Sequence, residues 1–139
     1  MNLTPRSVAP DDLDEPFWRG CRNRQFLIQR CGECQRAYWP ASSCIDHGSA
    51  AMAWEPASGR ATVHTYTIVH HAYIPELAER VPYVLAVVKL EEGPFFHTNI
   101  VGCSVDQVAV DQPVEVIFEQ VRDDVVLPMF IPVTAQRDA

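Results

Sequence analysis

The stretch that decides how this 139-residue chain folds is CGECQRAYWPASSCIDH, residues 31–47. Cys31 and Cys34 form a C-x-x-C pair, and Cys44 with His47 repeats that spacing with a histidine in the last position. Two such turns can deliver four side chains to one ion, and three thiolates with one imidazole form an accepted tetrahedral zinc set. Because the four ligands leave no position for water, the pattern predicts one structural Zn. The alternatives are four residues that are close by accident, or a ribbon that has lost its metal.

The composition indicates a globular protein of ordinary domain size. Hydrophobic residues make up 47% of the chain and charged residues 21%, which allows a real core. No apolar run reaches the roughly 18 residues that a membrane-spanning helix needs, and the N-terminus lacks the pattern of a signal peptide. We therefore expect a cytoplasmic protein with no membrane partner, in which clustered cysteines bind metal rather than form disulfides.

The residue pattern divides the chain into an N-terminal metal-binding part and a C-terminal β part. Asp14-Glu15-Pro16 predicts the start of a short helix that reaches about Phe26, and residues 51–54 predict a short strand. The turn-rich segment 55–59 marks the boundary. The predicted organisation is a flexible arm at 1–13, a helix and zinc ribbon at 14–56, a β-barrel at 57–134 and a tail at 135–139.

The second part predicts a five-stranded barrel. β-Branched and aromatic residues are dense, and turn signals separate the candidate strands. Five short strands, with a longer excursion between the first and second, fit a Greek-key barrel of the OB type. The pattern alone leaves an SH3-like barrel or a sandwich edge open. The strands are predicted at residues 60–71, 83–90, 95–103, 114–121 and 125–127, the last ending before Pro128.

The net charge of −7 lies in the β part and bears on the partner. Residues 1–60 carry seven basic and seven acidic side chains, whereas residues 61–139 carry four basic and eleven acidic side chains. Zinc ribbons and OB folds can both bind single-stranded nucleic acid, but this acid excess repels phosphate. The charge therefore disfavours a nucleic-acid partner, and a phosphate-bearing ligand is expected on the N-terminal half.

No catalytic set stands out among the remaining polar residues. His70 and His71 could be a second metal pair or the base of a stand-alone hydrolase or hydratase, but adjacent strand residues point to opposite faces and are poorly placed to share one ion. Arg19 and Arg22, together with Trp39, are candidate ligand-binding residues, because arginine binds phosphate in a forked geometry and tryptophan stacks on rings. Their alternative is a solvated helix face and a ribbon core.

Four ordered blocks carry a resemblance to a known family. The chain resembles the domain-of-unknown-function thirty-five family from about Pro16 to Pro132. The resemblance implies a short N-terminal helix, a rubredoxin-like zinc ribbon and a C-terminal OB fold, so that the fold is mainly β. Cys31, Cys34 and Cys44 match the first three zinc positions of the family, and His47 stands where the family most often has cysteine. The matching blocks are FWRGCRNRQFLIQRCGECQRAYWPASSC, SGRATVHTYTIVHH, PYVLAVVKLEEGPFFHTNIVG and LPMFIP.

The resemblance also implies a function. It predicts a non-catalytic accessory subunit that docks on a thiolase-superfamily partner, such as a thiolase or aldolase of lipid or steroid metabolism, and helps shape an acyl-CoA site. The alternative partner that it implies is a MaoC-type enoyl-CoA hydratase. In either assembly the acyl-CoA ligand is shared with the partner, which holds the catalytic residues.

Overall fold

A computed structural model describes residues 13–133, so most of the predicted arm and the whole of the predicted tail lie outside the described residues. The fold is mainly β, as predicted, and no helix in the described part is long and apolar enough to cross a membrane. The elements are α1 (Glu15–Arg22), β1 (Leu27–Cys31), β2 (Ala37–Tyr38), β3 (Met52–Pro56), β4 (Arg60–Val69), β5 (Tyr83–Leu90), β6 (Phe95–Ile100), β7 (Pro113–Arg122) and β8 (Val125–Pro132).

Helix α1 begins where the sequence predicts but is shorter than expected. An acid and a proline occupy its first turn, which suits the positive end of the helix dipole. It ends at Arg22 rather than near Phe26, because Arg24 adopts a left-handed backbone with φ of 61°. The amide of Gln25 then bonds back to the carbonyl of Gly20 at 2.8 Å. This turn reverses the chain and leads it directly into β1.

The ribbon is a three-stranded antiparallel sheet in the order β2–β1–β3. The predicted strand at 51–54 is present as β3, which begins one residue later and extends to Pro56. Strand β2 was not predicted, since it has only two residues and lies next to a Pro-containing loop. The sheet brings the two ends of the 31–47 stretch together beside β1.

The barrel is closed and has the strand order β4–β5–β6–β8–β7. Residues 60–62 of β4 pair with residues 113–115 of β7 and close it. The one parallel contact joins β6 to β8 at Ile100 and Phe130. This order confirms the predicted five-stranded OB-type barrel.

The last strand contradicts the prediction that it stops at Pro128. Strand β8 continues to Pro132 and pairs with β7 along that length. The carbonyl of Pro128 accepts a bond from the Thr98 hydroxyl of β6 at 3.2 Å, so this side of the residue faces β6. In an extended strand the nitrogen and the carbonyl of one residue point to the same side, so the Pro128 nitrogen also faces β6. At this position β6 offers no backbone partner to it. The missing N–H therefore removes no ladder bond to β7.

One buried cluster joins the helix, the ribbon and the barrel. Phe26, just before β1, packs edge-on against Phe96 of β6 at 5.0 Å between ring centroids and against Phe130 of β8 at 6.1 Å. Phe17 of α1 packs against Phe26 at 5.6 Å. Each buried aromatic side chain contributes about 1.5–3 kcal/mol, so these rings fix the ribbon on the barrel. The domain boundary near residue 56 stays a prediction.

Candidate functional site

The four predicted metal ligands lie together at one end of the ribbon. Their ligand atoms are all within 4.8 Å of one another, and they are the one such group of three or more His, Cys, Asp or Glu found among residues 13–133. Nδ1 of His47 lies 3.6 Å from the sulfur of Cys31 and 3.5 Å from that of Cys44. The sulfurs of Cys34 and Cys44 are 3.6 Å apart.

These distances match the edges of a tetrahedral metal centre. Metal–thiolate bonds of about 2.3 Å at tetrahedral angles place two sulfurs about 3.8 Å apart, and a metal–imidazole bond of about 2.0–2.1 Å gives about 3.5 Å between sulfur and nitrogen. The observed separations lie close to both values. Three cysteines and one histidine, whose ligand atoms all lie within 4.8 Å of one another, therefore form a closed donor set that can hold one metal ion.

Backbone hydrogen bonds build the two turns that carry the ligands. In the first turn, the amide of Gln35, whose φ is 65°, donates to the carbonyl of Cys31 at 2.8 Å. In the second turn, Cys44 and Gly48 exchange both backbone bonds, at 2.8 and 3.0 Å. Gly48 has a φ of 69°, a backbone conformation that glycine adopts without strain, so it can follow the last ligand directly.

Two residues around the ligands were not predicted to act there. The Tyr38 hydroxyl donates to the Cys44 sulfur at 3.3 Å, and this bond is the main cause that lowers the pKa of that thiol to about 6. Nε2 of His47 faces the carboxylate of Glu33 at 3.8 Å. The bond to Cys44 is the main cause that raises the pKa of His47. The Glu33 carboxylate lies on the side of the ring opposite the cysteines, where carboxylates commonly stand behind a ligating histidine.

The structure does not gather the three candidate ligand-binding residues into one cluster of contacts. Arg22 is paired with Glu15 at 2.8 Å, and Arg19 is exposed on α1. The ring of Trp39 is half-buried and packs edge-on against Phe17 at 5.1 Å and against a second phenylalanine, Phe96, at 4.8 Å. Contact of these residues with acyl-CoA stays a prediction.

Trp39 nevertheless lines two separate grooves. It lines one groove together with Phe17 and Trp54, and another together with Phe96 and Leu127. We call the second of these the junction groove, because it lies where the helix meets the barrel. A third groove, which we call the barrel groove, has a volume of about 230 Å³. It is lined by Leu77, Arg80, Tyr83, Leu85, Asn99, Ile100, Val101, Val121, Leu127 and Met129.

The remaining histidines and cysteines do not join the metal cluster. His70 and His71 are exposed after β4, and the ring of His71 contacts the ring of Tyr73 at 4.8 Å. Burial raises the pKa of Cys21 to about 12, so its thiol is an inert core group. Burial also raises the pKa of Cys103.

Comparisons with known proteins agree with the fold. Residues 54–119 match a family model described as ChsH2, C-terminal OB-fold domain. The chain is 33% identical over 139 residues to a protein named probable enoyl-CoA hydratase alpha subunit from Thermomonospora curvata. That match covers 99% of this chain but 42% of the relative, so the chain spans less than half the length of that relative.

Two further comparisons cover most of both chains. A solved structure described as Ltp2-ChsH2(DUF35) aldolase contains a chain with a TM-score of 0.82 and 29% identity, which covers 91% of this chain and 98% of that one. A DUF35 domain-containing scaffold protein from Methanocaldococcus jannaschii is 32% identical over 110 residues, 77% of each chain. This chain therefore belongs to the domain-of-unknown-function thirty-five (DUF35) family.

Proposed function

We propose that this chain is a non-catalytic accessory subunit that docks on a thiolase-superfamily partner and helps shape the acyl-CoA site of that partner. The observation that carries the proposal is the similarity, over nearly the whole of both chains, to a chain of the Ltp2-ChsH2(DUF35) aldolase. The name scaffold protein for a relative of similar length supports a role in assembly rather than chemistry. The predicted cytoplasmic location remains part of this proposal.

We further propose that the metal centre holds zinc and is structural. Three thiolates and one imidazole in a tetrahedral arrangement are a donor set that suits Zn²⁺. Bound zinc would tie β1 to the 44–48 turn, and in this way it supplements the limited core of a short ribbon. The cluster leaves no coordination position for a substrate, which fits a subunit whose partner holds the catalytic residues.

The acyl-CoA ligand would lie between the two subunits. Trp39 stands between two grooves where the helix and ribbon meet the barrel, and Arg19 and Arg22 lie on the exposed side of α1. Aromatic and arginine side chains in such positions suit a ring and a phosphate of a CoA ester. Docking of a partner over this junction would place its reactive centre next to the acyl group.

Co-expression with each thiolase-superfamily protein encoded next to this chain tests the proposal. The expected result is a stable complex that elutes together in gel filtration and whose partner is soluble only in the pair. A chain that remains alone with every such protein, at micromolar concentrations of both, would contradict the proposal.

The relative named as a hydratase alpha subunit favours a second candidate partner. It matches this chain over nearly the full length of the chain, so a MaoC-type enoyl-CoA hydratase could take the place of the thiolase-superfamily protein. Including the neighbouring hydratase proteins in the same co-expression panel separates the two candidates, since each predicts a different co-eluting protein.

A further inference from the structure

The outward side of the sheet formed by β4, β5 and β6 is a broad surface without carboxylates. Burial alternates along β5 and β6, so that every second residue points away from the core. The strand register places outward residues of β5 next to outward residues of β6. The residues of β4 that pair with the outward residues of β5 belong to the same surface. We call this surface the outer face; its members are Thr62, Thr65, Thr67, Val69, Tyr83, Leu85, Val87, Lys89, Phe95, His97 and Asn99.

The outer face differs in charge from the rest of the barrel. The β part carries eleven acids against four basic residues, yet the outer face contains one lysine and no acid. The two acids of the β5–β6 turn are engaged elsewhere: Glu91 pairs with Arg60 at 2.9 Å, and Glu92 accepts from the amide of Ser58 at 2.7 Å. Burying a charged carboxylate without a partner is costly, so a surface without one is suited to burial in an interface.

Large apolar side chains are exposed on this face. Leu85, in the middle strand, is 44% exposed and Phe95, on β6, is 46% exposed. The ring of Phe95 is also contacted by the ring of His64 at 4.8 Å. Exposed leucine and phenylalanine surrounded by threonine resemble the apolar centre and polar rim of a protein–protein interface.

Two grooves continue the outer face toward Trp39. The barrel groove shares Tyr83, Leu85 and Asn99 with the outer face. The junction groove shares His97 and Asn99 with it and has Trp39 in its wall. Arg80 also lines the barrel groove and is paired with Glu119 at 2.9 Å. The barrel groove is of a size to receive an apolar side chain from a partner, which is the usual form of an interface anchor.

We propose that the outer face, together with the barrel groove, is the docking surface for the partner subunit. This inference rests on the proposed function and names the surface that performs it. The contacting surface of the partner is apolar and carries a carboxylate that faces Lys89. A partner seated there extends along the junction groove to Trp39, which places this residue at the border of the shared acyl-CoA site.

Charge favours a different protein over a second copy of this chain. Two copies of this chain would bring together two net charges of −7. If they met through the outer face, Lys89 of each copy would find no carboxylate on the other copy, because the one charged residue of that face is Lys89 itself. Like charges brought together oppose association, whereas a carboxylate of a different partner favours it. A symmetric pair through this face is therefore an outcome that the test must exclude.

The test uses the full chain and the thiolase-superfamily partner found by co-expression. Leu85→Glu places a carboxylate in the centre of the outer face, and we expect it to weaken the complex at least tenfold in a titration by calorimetry. Lys89→Glu should weaken the complex more at low salt than at high salt, because salt screens exposed charges. The matched control is Ile45→Glu, since Ile45 is an equally apolar side chain that is 82% exposed on the ribbon.

Circular dichroism and thermal unfolding must first show that each variant is folded. Retained affinity of folded Leu85→Glu, whatever the affinity of Ile45→Glu, would overturn this inference but leave the proposed function standing. Failure of the unaltered chain to bind any partner would overturn both. A homodimer of the unaltered chain in light scattering that Leu85→Glu converts to a monomer would assign the face to a second copy and overturn the inference.

Discussion

At the fourth ligand position, His47 turns Nδ1 toward the cysteine sulfurs and Nε2 toward Glu33. We expect about one zinc per chain, as a single tetrahedral site requires. His47→Ala should lose zinc to a chelator far more readily than the unaltered chain, and His47→Cys should retain it. Glu33→Gln should weaken zinc binding about tenfold, because it removes the negative charge that faces the histidine and leaves all four ligands in place. Elemental analysis after a chelator titration measures all four proteins.

A chain that contains no zinc after expression in zinc-supplied cells, and that unfolds at the same temperature with and without added zinc, would contradict this account of the ribbon. In that case the four ligands would be the remnant of a metal site.

The Tyr38 hydroxyl gives the metal-free chain a distinct pH dependence. Its bond helps to lower the pKa of Cys44 to about 6 from an ordinary value of 9.0. A thiol whose pKa is lower in the folded chain stabilises the fold fully above pH 9.0, and this contribution is lost as the pH falls to about 6. Tyr38→Phe should raise the pKa and flatten the stability profile across this window.

Thiolate absorbance followed during a pH titration of the metal-free chain measures the shift directly. Tyr83→Phe, which removes a hydroxyl from β5, is the control and should leave the titration unchanged. An unchanged titration in Tyr38→Phe would show that the hydroxyl does not act on this thiol.

The ligand set could be predicted from sequence because its spacing is local, but its surroundings could not. Glu33 and Tyr38 contact the ligands because the two ligand-bearing turns face each other. That arrangement depends on the pairing of β1 with β2 and β3. Trp39 was predicted as a stacking group for a ligand. The structure packs it against Phe17 and Phe96, which are distant from it in sequence.

Among the elements, helix α1 offers the clearest test of packing. An alanine normally stabilises a helix by about 1 kcal/mol relative to glycine. At Gly20, however, an added Cβ would lie 2.8 Å from the backbone oxygen of Gln25 and 2.8 Å from Cγ of Leu27. Gly20→Ala should therefore destabilise the chain by about 1–3 kcal/mol in spite of its helix propensity, because the turn after the helix must move.

Denaturant unfolding measures this difference, with Arg19→Ala as the control at the neighbouring exposed position. The control should change the free energy of unfolding by less than about 0.5 kcal/mol. If Gly20→Ala were more stable than the unaltered chain, the result would contradict the close contact of Gly20 with Gln25 and Leu27.

The elements themselves were largely predictable, and their ends were not. Alternation and turn residues located all five barrel strands, and β5 has the predicted bounds. Strand β8 was predicted too short, because Pro128 indicates a strand end in the sequence. A strand tolerates proline where the nitrogen has no strand partner, and the bond from Thr98 of β6 to the Pro128 carbonyl, which shows that this is the case, exists only in the folded barrel. The helix was predicted too long, because the left-handed residue of the turn that ends it is Arg24 and not a glycine, so the local bond from the Gln25 amide to the Gly20 carbonyl has no clear signal in the sequence.

For the whole molecule, the sequence predicted the fold class and the family but not the surfaces. The acid excess of residues 61–139 is visible in the sequence. The absence of acids from the outer face is also visible there, since β4, β5 and β6 contain no Asp or Glu. Which residues of these strands share that face is not visible, because it depends on the strand register. The outer face and the grooves beside Trp39 emerge only once the barrel has closed.

Acyl-CoA turnover by the separated and combined subunits tests the central claim most directly. The account predicts no turnover by this chain alone, weak or no turnover by the thiolase-superfamily partner alone, and full activity when the two are combined. His70→Ala should leave the activity of the combination unchanged. Turnover by the isolated chain that His70→Ala abolishes would contradict the account and make this chain an enzyme in its own right.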